Sequence, residues 1–164
     1  PLGVIQWYLQ TFHQLTLSVG GIVQVLHQVA QQAEPSVQQI REQVRASPAV
    51  HADETGWRED GHNGYVWTFS TPTERYFLRR GRNKAVVDEV LGEAFGGTLI
   101  SDFYAAYDHY PGVHQRCWAH LLRDIHDLSA VYPDDAELAT WAHAVQDLLF
   151  VQPRPAAVHP AQGA

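Results

Sequence analysis

The sequence predicts a mixed α/β domain in which three antiparallel strands precede a crossover helix and further strands. Three observations carry that prediction. From residue 49 the chain holds short segments rich in aromatic and β-branched residues; near residue 85 the apolar period shifts to that of a helix; and a compact apolar segment, Thr98-Leu99-Ile100-Ser101-Asp102, ends on an acid.

Residues 1–48 read as helical. Ser18 is placed to cap a helix through Ile22, Val23, Val25, Leu26 and Val29, and a second helix is expected to start near Pro35 and Ser36, with Val37, Ile40 and Val44 on one face. Ser47-Pro48 ends it. Ala49–Asp53 is read as a first short strand, Gly61–Gly64 as a turn, Tyr65–Ser70 as a second strand and Arg75–Arg79 as a third. Ala85, Val86, Val90, Leu91 and Phe95 suit one helix face, stopped by Gly96-Gly97. After the Thr98–Asp102 strand, Phe103–Tyr110 reads as a short helix closed by Pro111-Gly112, and Val113–Trp118 as a fifth strand. Leu121, Leu122, Ile125 and Leu128 begin another helix, and Pro133-Asp134-Asp135 opens the last, to about Phe150.

The order β-β-β-α-β-α-β-α matches a ribonuclease-H-like mixed sheet preceded by an N-terminal helical segment, with its C-terminal part expected to be missing. Setting the fourth strand beside the first, through a right-handed crossover, puts Asp53 and Asp102 at neighbouring positions. The expected domains are 1–48, a helical segment and possible remnant of a helix-turn-helix unit; 49–150, a partial catalytic domain; and 151–164, a Pro- and Ala-rich disordered tail.

Bulk properties narrow the classes. Apolar residues make up 45% of 164, enough to bury a core, so a globular fold is expected rather than disorder. Cys117 is the single cysteine, which excludes an internal disulfide and a Cys-rich zinc site and fits a reducing, cytoplasmic setting. Apolar runs are short and interrupted, so neither a membrane span nor a signal peptide is read. The chain starts at Pro1 and holds no Met, as expected of a piece of a longer frame. The net charge of −7 argues against broad phosphate binding. The cations are uneven, however: Arg75, Arg79, Arg80, Arg82 and Lys84 fall close together and are the best candidates for DNA-backbone contact, although such a run also serves as an ordinary solvated face. No Lys or Arg occurs in residues 1–40, so the first helices are not expected to bind DNA alone.

Asp53 and Asp102 each lie where an apolar strand is expected to run out. By spacing alone such acids are equally ordinary as turn or cap residues. Brought together, two carboxylates repel, and a divalent cation relieves the repulsion; hard oxygen donors suit Mg²⁺ or Mn²⁺. Two such ions about 3.5–4 Å apart activate an attacking oxygen and stabilise a leaving one, the chemistry of phosphodiester cleavage and strand transfer.

The segments HADETGWRED, SDFYAAYD and QRCWAHLLRD together resemble the insertion-sequence-66 type of bacterial transposase, over roughly residues 15–150. The resemblance implies a DDE catalytic domain in which Asp53 and Asp102 bind metal, with Mg²⁺ or Mn²⁺ as cofactor. It also implies DNA, both element ends and target, as substrate, and action as a multimer. Such an enzyme cleaves at the ends of the element and then joins the freed 3′-hydroxyl to target DNA. The family completes its triad with a Glu on a later helix after paired Asn residues. No such segment occurs here, and Glu137 lacks that context, so this chain is expected to be truncated and inactive.

Asp108 is read as surface or structural. His51 lies two residues from Asp53, where it either touches substrate or a metal-bound water or is a half-buried polar residue. Trp57 is expected in the core. Cys117 and His120 form a C-x-x-H pair, a weak zinc signal without a second pair, and are expected to pack. Arg116 and Arg123 reach phosphate or, more commonly, form ion pairs. Two further readings stand beside the transposase: a non-catalytic remnant that binds DNA or a partner transposase, and a hydrolytic nuclease of ribonuclease-H type.

Overall fold

The computed structural model describes residues 2–151. Its elements run α1 (Leu2–His13), α2 (Val19–Ala46), β1 (Ala49–Glu59), β2 (His62–Ser70), β3 (Arg75–Arg80), α3 (Ala85–Leu91), β4 (Thr98–Ser101), a 3-10 turn (Ala105–Tyr107), β5 (His114–Arg116), α4 (Trp118–Val131) and α5 (Ala136–Val151). The strands make one mixed sheet in the order β3-β2-β1-β4-β5. β1, β2 and β3 are antiparallel neighbours, β4 runs parallel to β1, and β5 runs parallel to β4. The fourth strand therefore lies beside the first, as the element order predicts. The expected tail, apart from Val151 at the end of α5, lies outside the described residues.

Several boundaries differ from the sequence reading, each for a local reason. β1 does not stop at Asp53: it continues to Glu59 and pairs with β2 along its length, from His51↔Ser70 to Glu59↔His62. The reversal falls on Asp60 and Gly61, both at positive φ (49° and 79°), as a two-residue hairpin loop that follows the strand twist requires. The two predicted N-terminal helices after Ser18 are one, α2, running through Pro35. Proline there frees the carbonyl of Gln31, and both residues are exposed, so that carbonyl faces water instead of an apolar core. The Ser18 cap is as expected: its Oγ accepts the N–H of Gly21 at 3.0 Å. α3 ends at Leu91 rather than Phe95, because Gly92 takes the left-handed conformation (φ 72°) and its N–H returns to the carbonyl of Asp88. Phe95 still packs into the core, from the loop. The short helix predicted over Phe103–Tyr110 is a single 3-10 turn.

Side chains alternate along strands, so the sheet has two unlike faces. One carries Val50 and Ala52, Trp67 and Phe69, Leu78 and Leu99, all buried in one cluster with Val86, Val87, Val90 and Leu91 of α3, Val44 of α2 and Tyr107. Arg45 ties α2 to α3 by donating to the carbonyls of Val90 (2.5 Å) and Glu89 (2.8 Å) at the helix C-terminus. The other face carries His51, Asp53, Thr68, Ser70 and Ile100, none of them fully buried. α1 buries none of its side chains.

Candidate active site

β1 and β4 pair as Ala49↔Thr98, Val50↔Leu99 and His51↔Ile100. Continuing that register sets Asp53 level with Asp102, each two residues past the last pair. Asp53 is thus not at the end of a strand: it lies in the middle of β1, at the point where pairing with β4 stops and pairing with β2 goes on. Asp53 is exposed and Asp102 half-buried. One oxygen of each is held by backbone: Asp53 Oδ1 accepts the N–H of Glu54 at 2.9 Å, and Asp102 Oδ1 accepts the N–H of Tyr104 at 3.0 Å. The second oxygen of each accepts no hydrogen bond among the described residues.

The same face holds a hollow of about 290 Å³ lined by His51, Asp53, Thr68, Ser70, Cys117 and His120. The Cys117 N–H donates to the Ser101 carbonyl at 2.7 Å, which sets the start of α4 against the end of β4. The C-x-x-H pair is therefore half-buried beside Asp53 rather than packed in the core, and the buried His120 Nδ1 has no hydrogen-bond partner. Among the described residues, no three of His, Cys, Asp and Glu converge in a way that holds a metal ion.

Two residues that sequence reading passed over stand behind Asp53. Glu54 points to the core side, its side chain only 1% exposed, and is held from two directions. Arg82 donates to Oε1 through Nε (3.0 Å) and Nη2 (2.8 Å), and the Tyr107 hydroxyl donates to Oε2 at 2.6 Å. Burial pushes the Tyr107 phenol far above its usual range; the hydrogen bond to Glu54 and the nearby Glu54, Asp102 and Asp53 carboxylates push the same way. The phenol is therefore a fixed donor. The signal was present in the sequence: Val50 and Ala52 alternate in the core row of β1, and Glu54 is the next residue of that row.

The five cations of the Arg75–Lys84 run do not form one stripe. Thr68↔Phe77 pairing puts Arg75, Phe77 and Arg79 on the Asp53 side of the sheet, and Arg80 on the core side. Arg75 donates to the carbonyls of Thr71 and Glu74, Arg79 pairs with Glu59 at 3.0 Å, and Arg80 forks onto Glu89 at 2.9 and 2.6 Å. Arg82, besides holding Glu54, lies over the ring of Tyr104 at 4.0 Å. Lys84 begins α3 and forms no ion pair among the described residues. Arg116 pairs with Asp108 and donates to the Asp102 carbonyl at 2.7 Å, so both residues fasten the loop after Asp102. Trp57, expected in the core, is 54% exposed, because β1 extends past the core in its hairpin with β2.

His114 on β5 lies 2.8 Å from the buried Ser101 Oγ. Burial, then the Arg116 charge, holds its imidazole below the ordinary 6.5, while Asp108 pulls the other way. A depressed folded value means that the fold favours neutral His114. The associated stability is complete above the unfolded value and is lost as pH falls through the folded one. The unfolding temperature is expected to decline as pH drops below about 6.5, and to do so less in His114→Gln. An equal decline in the variant would assign that pH dependence to other groups.

The fold is a mixed α/β domain in which Asp53 and Asp102 each lie just past the end of a parallel ladder. The model of the Transposase IS66 family matches residues 1–151, and the chain belongs to that family. The match takes in α1 and α2 as well as the sheet. No curated protein matches the chain. Among the described residues no helix is long and apolar enough to cross a membrane.

Proposed function

We propose that this chain carries the metal-binding core of a DNA transposase with a ribonuclease-H-like sheet, in which Asp53 and Asp102 hold Mg²⁺ or Mn²⁺. The observation that carries this reading is that Asp53 and Asp102 each lie two residues past the last β1–β4 ladder pair. The donor set fits the ion. Mg²⁺ keeps several waters and is commonly bound by one or two carboxylates with substrate phosphate completing the shell, and each acid here has an oxygen free of other hydrogen bonds. When bound, the metal supplies activation of the attacking oxygen and charge neutralisation at the scissile phosphate.

The chain's own residues do the rest. Backbone N–H groups of Glu54 and Tyr104 aim the two carboxylates. The substrate, insertion-sequence ends and target DNA, lies along the Asp53 face. Arg75 on that face, with Lys84 beyond it, has no carboxylate partner among the described residues and meets the phosphate backbone, while Arg79, Arg80 and Arg82 each hold a carboxylate. In this reading strand transfer needs a third acid beside Asp53 and Asp102, and the enzyme acts as a multimer in the bacterial cytoplasm.

Mn²⁺ titration followed by paramagnetic NMR broadening tests the reading. Broadening centred on Asp53 and Asp102, and lost in Asp53→Asn, is the expected result. Broadening scattered over the surface acids, or unchanged in the variant, would remove the metal site and with it the transposase chemistry.

A further inference from the structure

Beyond Ile100 the backbone ladder that joins β1 to β4 ends, so backbone pairing alone does not fix Asp53 against Asp102. What joins the two segments there is a side-chain hydrogen bond. Glu54, next to Asp53, accepts from the hydroxyl of Tyr107, which belongs to the 3-10 turn that follows Asp102. That turn in turn holds the second acid. The Tyr107 N–H donates to the Tyr104 carbonyl at 3.0 Å, and the Tyr104 N–H donates to Asp102 Oδ1.

We infer that Glu54 and Tyr107, locked by Arg82, form a buried clasp that sets the spacing of Asp53 and Asp102. They are positioning residues for the metal site, and the inference rests on the reading of that site given above. Three features carry it. First, the core row of β1 runs Val50, Ala52, Glu54, so an acid occupies a position where the strand otherwise buries apolar side chains. A carboxylate 1% exposed is costly to bury, and such a break in the pattern belongs at a functional site rather than in a plain scaffold. Second, both oxygens of Glu54 are taken: Oε1 by the Arg82 fork and Oε2 by the phenol. That leaves the side chain a single orientation. Third, the tyrosine is itself fixed. It is fully buried, and its ring meets Trp67 at 5.9 Å and Tyr104 at 6.0 Å, both edge-on. The Tyr104 hydroxyl also donates to the Arg82 carbonyl at 3.3 Å, which closes the loop of contacts back to the arginine.

The test is the Mn²⁺ affinity of the full chain, with Tyr107→Phe compared with the wild type and folding verified by amide spectra. Tyr107→Phe removes only the hydroxyl. It is expected to keep the fold and to bind Mn²⁺ on the order of 10-fold more weakly, with broadening still centred on the two acids. Should that variant fail to fold, Glu54→Leu, which removes both acceptor oxygens from the core row of β1, is read in the same way. Wild-type affinity in a folded variant, whatever its thermal stability, would make the clasp merely structural and overturn the inference while the metal site stands. Absence of Mn²⁺ binding at Asp53 and Asp102 in the wild type would overturn the metal site itself, and the clasp with it.

Discussion

Trp67→Ala is expected to cost about 3–5 kcal/mol, the range for emptying a buried tryptophan site, against a total stability of roughly 5–15 kcal/mol. Trp67 is wholly buried on β2, between β1 and β3. It lies parallel to Phe69 at 6.5 Å and edge-on to Tyr107 at 5.9 Å, and its Nε1–H donates to the Gly81 carbonyl at 3.3 Å. Truncation removes all of these together, and β1 and β3 on either side cannot close the gap without breaking their ladders with β2. For a chain of this size each 1 kcal/mol moves the unfolding midpoint by roughly 2–4 °C, so a fall of about 10 °C or complete loss of the folded state is expected by circular dichroism. Trp57→Ala, at an exposed position on the same sheet, is the matched control and is expected to stay within about 0.5 kcal/mol. Equal losses in the two variants would mean that the core is not centred where the structure puts it.

Arg82→Ala is expected to destabilise the chain by about 1–2 kcal/mol: it leaves the Glu54 carboxylate with the Tyr107 hydroxyl as its one remaining side-chain donor, and water reaching the site through the half-exposed Arg82 position offsets part of the loss. The loss comes from the unpaired charge rather than from the missing contact. It follows that Glu54→Gln placed on the Arg82→Ala background should recover part of the stability, since a neutral amide needs no counter-charge. Urea unfolding of the two single variants and the double variant measures the coupling. Additive losses would show that Arg82 serves mainly through its stacking on Tyr104. The same experiment bears on the Arg75–Lys84 run. An arginine whose removal collapses a buried pair acts as part of the scaffold, whatever it does near DNA.

Much of the fold was legible before any coordinates. The segment from residue 49 to 80 shows aromatic and β-branched alternation, and the cap at Ser18 and the strand at Thr98 are where local chemistry puts them. The boundaries that differ each have a local cause. Asp60-Gly61 is a strong two-residue hairpin signal, but the glycines on either side of Asn63 drew the turn later, and β1 was cut short at Asp53. Gly92 was overlooked as a helix stop because Phe95 continued the apolar period; in the structure Phe95 reaches the same core from a loop, so the period outlasted the helix. Pro35 reads as a helix start because proline fits a first turn, yet α2 runs through it, with Pro35 and the freed Gln31 carbonyl both at exposed positions.

The sequence by itself determined the mixed α/β class, the order of the strands and the two acids that carry the proposed chemistry. The class and the strand order follow from residue types and spacing, whereas the two acids stand out only through the family resemblance of their motifs, since by spacing alone they are ordinary turn or cap residues. Only the tertiary structure decided which partner each charge takes. Arg82 and Glu54 lie 28 residues apart, and Glu54 and Tyr107 lie 53 apart, so no local pattern links them. Their pairing depends on β1 packing beside β4 and on the loop after β3 folding back over the same corner. The sequence displays that arginine as one of a cationic run; the fold brings it to a buried carboxylate, where the energy of leaving that charge unpaired holds it.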